Sequence, residues 1–169
     1  MPAIRRCELP AVALLNRYSG SGVYADCYVA EIARVVSHAE FVEAFYTTAV
    51  FKLERSILRL LMSRSSTDTQ ARQLAQGTLS SFAAWSVEGR APDQLLLSDF
   101  TGRTKSWLMV AVPTTGTPNT RLFFGSAVVP RGRSGGSRAS LGFVFTALLG
   151  FHKLYSRVLL AAARSRLSR

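Results

Sequence analysis

The sequence predicts one α+β domain in which an antiparallel sheet is covered by helices. Three observations predict it. Two helix-start signals, "SHAE" at 37–40 and "TDTQ" at 67–70, lie in the first half of the chain. From residue 80 the apolar period changes to two and stays so to residue 130. A helical period then returns over 141–167. A length of 169 residues suits a single domain with its own core. Hydrophobic residues at 48% and charged residues at 18% exclude a disordered chain.

The elements follow in order. Residues 1–22 read as an N-terminal arm with a short helical turn over 10–17, and "YSGSG" at 18–22 as a turn. "VYADCYVAEI", 23–32, is the first strand. Ser37 and Glu40 form a capping box, and Val36 and Phe41 a hydrophobic staple, so a helix starts at His38 and stops near "YTT". A second helix is expected over 49–63, with Val50, Leu53, Ile57, Leu60 and Leu61 as its apolar stripe. A third runs over 68–76, capped by Thr67 and Gln70 and stopped by Gly77. "SFAAWSVEGR", "QLLLSDF", "RTKSWLMVAV" and "RLFFGSAVVP" are four strands of a meander. "RAPD" joins the first two strands. Thr101-Gly102 makes a tight hairpin. "PTTGTPNT" is a longer loop, and "RGRSGGSRAS", 131–140, a flexible linker. Over 141–167, Leu141, Val144, Leu148, Phe151, Tyr155, Val158 and Ala162 form a wide apolar face that suits packing on the sheet.

The net charge of +11 is uneven. All ten acidic residues lie at or before Asp99, while residues 100–169 carry eleven Lys or Arg. Such asymmetry can mark a surface for nucleic acid or anionic membrane. Here the arginines are scattered singly, without the dense clusters of a nucleic-acid face. Direct nucleic-acid binding is therefore not expected. No apolar run approaches the roughly 18 residues of a spanning helix. Arg5 and Arg6 precede an apolar run too short and interrupted for a signal peptide. Two cysteines, Cys7 and Cys27, are too few for a disulfide framework, so a reducing, cytoplasmic setting is expected. Cys27 reads as a buried thiol.

A first strand, two helices, a small third helix, an antiparallel run and a long terminal helix follow the order of the helix-grip fold. In this order the chain resembles the START-like superfamily, which includes pollen allergens, lipid-transfer domains and polyketide cyclases. "RLFFGSAVVP" followed by "LLGFHKLYSRVLLAAA" is similar to a bacterial family of unknown function within it. The chain departs from that family by the linker before the helix. The resemblance implies a mainly apolar cavity between the sheet and the terminal helix.

With Thr101-Gly102 as the turn, Asp99 pairs with Thr104, Ser98 with Lys105 and Leu96 with Trp107. One face then carries Trp85, Val87, Leu96, Phe100, Trp107 and Met109, with Arg103 and Lys105 near its end, and reads as a cavity wall or core. The other carries Ala84, Ser86, Glu88, Leu95, Leu97, Asp99, Thr104, Ser106 and Leu108. A slip of one residue exchanges the faces. Candidate ligand-binding residues are Trp85, Trp107, Met109, Phe100 and Arg103 from the sheet, and Leu148, Phe151 and Tyr155 from the helix. Candidate catalytic groups are His152, Asp99 and Tyr155. His152 and Asp99 each have a plainer role, His152 at the core edge and Asp99 as a turn-stabilising carboxylate, while Tyr155 offers a hydroxyl that could point into the cavity. Ser126 in "FGSAV" lacks the flanks of a nucleophile elbow. No metal site or cofactor is expected.

Three functions remain open. The first is a protein that holds a small apolar or amphipathic molecule in the cavity. The second is a cyclase, dehydratase or isomerase using the same cavity. The third is a binder of nucleic acid or anionic membrane through the basic C-terminal half. An exposed sheet face would also support a homodimer.

Overall fold

The computed structural model describes residues 4–20, 23–52, 66–113, 118–129 and 155–168. The expected linker at 131–140 and the first half of the C-terminal helix, with Leu148, Phe151 and His152, lie outside the described residues. So does most of the second helix, of which 49–52 is helical.

The described chain is α+β, built on one seven-stranded antiparallel sheet. Its strands are β1 (Arg5–Arg6), β2 (Tyr24–Ile32), β3 (Ser81–Phe82), β4 (Trp85–Ala91), β5 (Gln94–Asp99), β6 (Thr104–Ala111) and β7 (Thr120–Val128). Their order across the sheet is β1-β2-β7-β6-β5-β4-β3. The run β3 to β7 is the expected meander, and β7 turns back to pair with β2.

The local signals act as expected where they are strongest. Helix α1 (His38–Tyr46) starts in the Ser37/Glu40 capping box. Helix α2 (Asp68–Ala75) starts in the Thr67/Gln70 box, and Gly77 beyond it takes φ +80°. Each box satisfies helix-end N–H groups that would otherwise be orphaned. At the hairpin, Gly102 takes φ +72°. There Asp99 Oδ1 accepts the backbone N–H groups of Arg103 and Thr104, and Asp99 Oδ2 accepts the Thr101 hydroxyl. Asp99 thus holds the turn.

Two faces of the sheet are covered by different parts of the chain. Over one lie α1, α2 and the C-terminal helix α3 (155–167). Phe41, Phe45, Tyr46 and Phe51 pack there on Leu97, Leu108, Leu122 and Phe124. Their rings meet mostly edge to face, as aromatic quadrupoles prefer. Over the other face lies the 3-10 turn η1 (Leu14–Tyr18), with Leu15 against Leu96, Trp107, Met109 and Phe123. The N-terminal arm, through its short turn, is therefore part of the core. An antiparallel sheet with two apolar faces needs both covered, and the N-terminal segment covers the second.

Gln94 anchors η1. Its side chain donates to Val12 O, while its Oε1 accepts from Leu14 N and from the Trp107 indole. Tyr18 donates to Glu88, whose other oxygen meets Lys105 Nζ at 2.6 Å. Lys105 also lies over the Tyr18 ring. Burial alone would raise the Glu88 carboxyl and lower the Lys105 ammonium. The hydrogen bonds and charges between them reverse both effects, so Glu88 sits below and Lys105 above its ordinary value.

Two expectations are corrected here. "SFAAWSVEGR" is not one strand but β3 and β4, joined at Ala83, which takes φ 54°. Propensity hid the break, because alanine gives no turn signal. Within α3 the buried stripe is Ser156, Leu159, Leu160, Ala163 and Leu167, and Val158 is exposed. The expected stripe through Tyr155, Val158 and Ala162 is thus turned by about one residue. The segment is apolar on two sides, and the leucines bury more area than Val158 and Ala162 do. Arg164 and Arg166 fix the rotation by donating to Glu31 O and Thr47 O.

Three outcomes follow. A Cβ on Gly125 would stand 2.9 Å from both Leu15 and Trp107, so Gly125→Ala should cost about 1–3 kcal/mol by overpacking, measured in urea. Glu88→Gln leaves the Lys105 ammonium, only 6% exposed, without its counter-charge; the expected loss is about 2–4 kcal/mol in the same assay. His38 is buried, and its Nε2 has no partner among the described residues. Burial lowers its pKa from 6.5 to about 4; the Leu108 backbone opposes this, Arg90 reinforces it and Asp93 opposes it. The unfolded chain therefore takes up this proton first. Stability from His38 is complete above about pH 6.5 and drains as the pH falls toward about 4. Melting temperatures of wild type and His38→Gln across that range should show the steeper fall in wild type.

Candidate functional site

A cavity of about 160 Å³ opens between the sheet and α3. Strands β6 and β7 supply Thr104, Lys105, Ser106, Phe124 and Ser126 to its wall; α1 supplies Phe45 and Tyr46, α3 Tyr155 and Leu159, and Phe51 and Trp85 close it. Each is there for a local reason. Ser106 and Ser126 stand opposite each other in the β6–β7 register. Tyr46 is the last residue of α1, and its hydroxyl reaches Ser106 on the sheet. Leu159 belongs to the buried stripe of α3.

The polar groups form a line behind and along this wall. Ser126 Oγ donates to the buried Asp26 Oδ1 at 2.6 Å. The Tyr24 hydroxyl reaches Asp26 Oδ2 at 3.3 Å. Tyr46 and Ser106 share a hydrogen bond at 3.3 Å. The Trp85 indole N–H is buried without a partner among the described residues. Burial and the Asp26 charge push the Tyr24 phenol up to about 12 and raise Tyr28 as well. Arg157 of α3 lies 5.5 Å from the Tyr28 ring centre and opposes part of that rise. The phenols beside Asp26 stay protonated at neutral pH. The hydroxyl proton of Ser126 is committed to Asp26, so toward the cavity its oxygen accepts. Among the described residues no group of three His, Cys, Asp or Glu side chains could hold a metal ion, and no helix is long and apolar enough to cross a membrane.

Of the sequence candidates, the structure brings Trp85 and Tyr155 to this cavity. Trp107 and Met109 lie on the opposite face, under η1. Phe100 sits at the hairpin tip, 52% exposed, and Arg103 is exposed in the same turn. Asp99 is spent on that turn. His152, Leu148 and Phe151 lie outside the described residues. The pairings Ser98–Lys105 and Leu96–Trp107 are as expected. On β5 and β6 the faces are as expected, with Leu96, Trp107 and Met109 on one side and Leu95, Leu97 and Leu108 on the other, but on β4 they are exchanged. A β-bulge between Val87 and Gly89 leaves Glu88 unpaired, so Val87 meets Leu97 and Trp85 meets Asp99. That extra residue moves Trp85 and Val87 to the helix side and turns Glu88 toward Lys105.

The sequence reading missed Asp26, Ser106 and the aromatic wall of Phe45, Phe51 and Phe124. A signal for the first two existed: a short polar residue inside a strand otherwise apolar and bound for the core has to find a partner. For the aromatics there was none, because a phenylalanine beside a cavity looks like any core phenylalanine.

The chain matches no protein-family model, no curated protein and no solved structure.

Proposed function

We propose that this chain is a helix-grip protein of the START-like kind that holds a small, ring-sized, partly polar molecule between its sheet and its C-terminal helix. The observation that carries this reading is the cavity itself: about 160 Å³, walled by Phe45, Phe51, Phe124, Trp85 and Leu159, with hydroxyls along one side. A dry cavity of about 150 Å³ is enough for one benzene ring. Pockets for drug-sized ligands begin near roughly 300 Å³, so the ligand class is smaller than those. An aromatic face for stacking, an unpartnered indole donor and serine hydroxyls suit a ring bearing one polar substituent. The strand order, with β2 beside β7 and helices between β2 and β3, supports the helix-grip reading.

Holding is favoured over turnover. Apart from Lys105, whose ammonium is held by Glu88 and Ser98, the described polar groups on the wall are hydroxyls and an indole; they orient a ligand but do not ordinarily exchange protons at neutral pH. The basic half is not favoured as a nucleic-acid or membrane surface, because several of its cations serve the fold. Lys105 pairs with Glu88, Arg121 with Glu31, and Arg157, Arg164 and Arg166 hold α3 to the sheet and α1.

The test is ligand-observed NMR and native mass spectrometry with phenol, indole and benzoate as probes. At least one should bind with Kd of about 10 µM to 1 mM, the range of fragment-sized ligands. Leu159→Phe fills the cavity and should weaken that binding at least about tenfold, with melting temperature retained or raised. Absence of binding by all three to the folded wild type, or binding that Leu159→Phe leaves unchanged, overturns the reading.

A further inference from the structure

On the face away from the cavity, two residues twenty positions apart in sequence meet. Arg5 pairs with Val29 and Arg6 with Tyr28. The next step of that register sets Cys7 opposite Cys27, and Cys7 N donates to Cys27 O at 2.9 Å. The two sulfurs lie 3.2 Å apart, and both are free thiols. Directly opposed residues of an antiparallel pair have Cα atoms about 4.5–5.5 Å apart, inside the span a disulfide bridges. The sulfurs need to close by only about 1 Å, which side-chain rotation supplies without a backbone shift.

The two thiols are unequal. Cys27 is 1% exposed, whereas Cys7 is half-buried. Both line an open groove of about 460 Å³ at the β1 edge, together with Arg6 and Glu8 among others. The hydrogen bond with Cys27 holds the Cys7 thiol below its ordinary value; burial opposes this and the Arg5 charge assists it. The same hydrogen bond, then burial, pushes Cys27 up. An accessible sulfur that ionises first, backed by a buried partner in contact, is the arrangement of an attacking and a resolving thiol.

We infer that Cys7 and Cys27 are a reversible disulfide site, with Cys7 as the thiol that attacks low-molecular-weight disulfides entering the groove and Cys27 as the resolving thiol. The step balances as thiol–disulfide exchange. The Cys7 thiolate attacks one sulfur of the small disulfide; a mixed disulfide forms and one thiolate leaves. Cys27 then gives up its proton and attacks the Cys7 sulfur, the protein disulfide forms, and the second thiolate leaves. Two protein thiols are oxidised by two electrons, one small disulfide is reduced to two thiols, and the protein's two protons end on those thiols. The bridge ties the segment that leads into η1 onto β2, and so fastens the cover over Trp107, Leu96 and Phe123. The inference is independent of the ligand reading, since the pair lies on the other face of the sheet.

The full chain is equilibrated over a series of ratios of oxidised to reduced glutathione, quenched with an alkylating agent and weighed intact. The expected result is a cooperative loss of both thiols, with a mass lower by two hydrogens and no lasting glutathione adduct. The oxidised form should melt about 5–10 °C above the reduced one. Cys7→Ser, at a half-buried position, should abolish both the mass change and the difference in melting temperature. Two alkylated thiols at every ratio, a glutathione adduct that persists on Cys7, or a disulfide between two chains overturns the inference. The mass readout on wild type decides the matter even if a variant folds poorly.

Discussion

The pairing of β2 with β7 is the constraint on which the rest of the structure depends. Nine residue pairs, from Tyr24↔Val128 to Ile32↔Thr120, join the first long strand to the last among the described residues. Contacts so distant in sequence carry a large loop-closure cost, repaid only when both faces of the strands are buried. They are buried. Tyr28, Ala30 and Ile32 serve the helical side, and Cys27 and Val29 the side beneath η1. The same register sets Asp26 beside Ser126 and leaves the outer edge of β2 to β1, where Cys7 meets Cys27. Both sites described above are consequences of this one pairing.

The bulge at Glu88 is the second constraint. Without it the alternation along β4 would aim Trp85 and Val87 at the crowded face under η1. With it, Trp85 closes the cavity, and Glu88 is turned to the side where Lys105 and Tyr18 await a carboxylate. One extra residue thus supplies a wall to one site and an ion pair to the other face. The buried Lys105 in turn requires that carboxylate, because an unpaired ammonium in that position is costly. Gly125 completes the second face by the opposite device: an absent side chain lets Leu15 and Trp107 close over β7.

The cavity is small because its lining is aromatic and the helices lie close to the sheet. Phe45 stands 4.9 Å from Phe124, and Tyr46 is packed between Phe51 and Phe82. Rings at such distances interlock and leave little free volume. The polar line of Asp26, Ser126, Ser106 and Tyr46 survives burial because its members bond to one another. A ligand that reaches this wall therefore meets groups whose positions are already fixed, which lowers the ordering cost of binding.

The local elements were legible in the sequence because their causes are local. Ser37 with Glu40, and Thr67 with Gln70, start helices through side chains three residues apart, and Thr101-Gly102 turns a hairpin through one backbone conformation. From that turn even the partners of Ser98 and Leu96 could be counted. The α+β class followed from the two capping boxes together with the changes of period. What the sequence could not decide depends on residues far apart in the chain. The bulge at Glu88 is favoured by Lys105 and Tyr18, which lie 17 and 70 residues away. The rotation of α3 is settled by carbonyls of Glu31 and Thr47. The meeting of two cysteines needs β1 on the edge of β2. A period of two or of 3.6 says that a face exists; only the tertiary structure decides which face meets which, because that choice is made by the partners and not by the spacing.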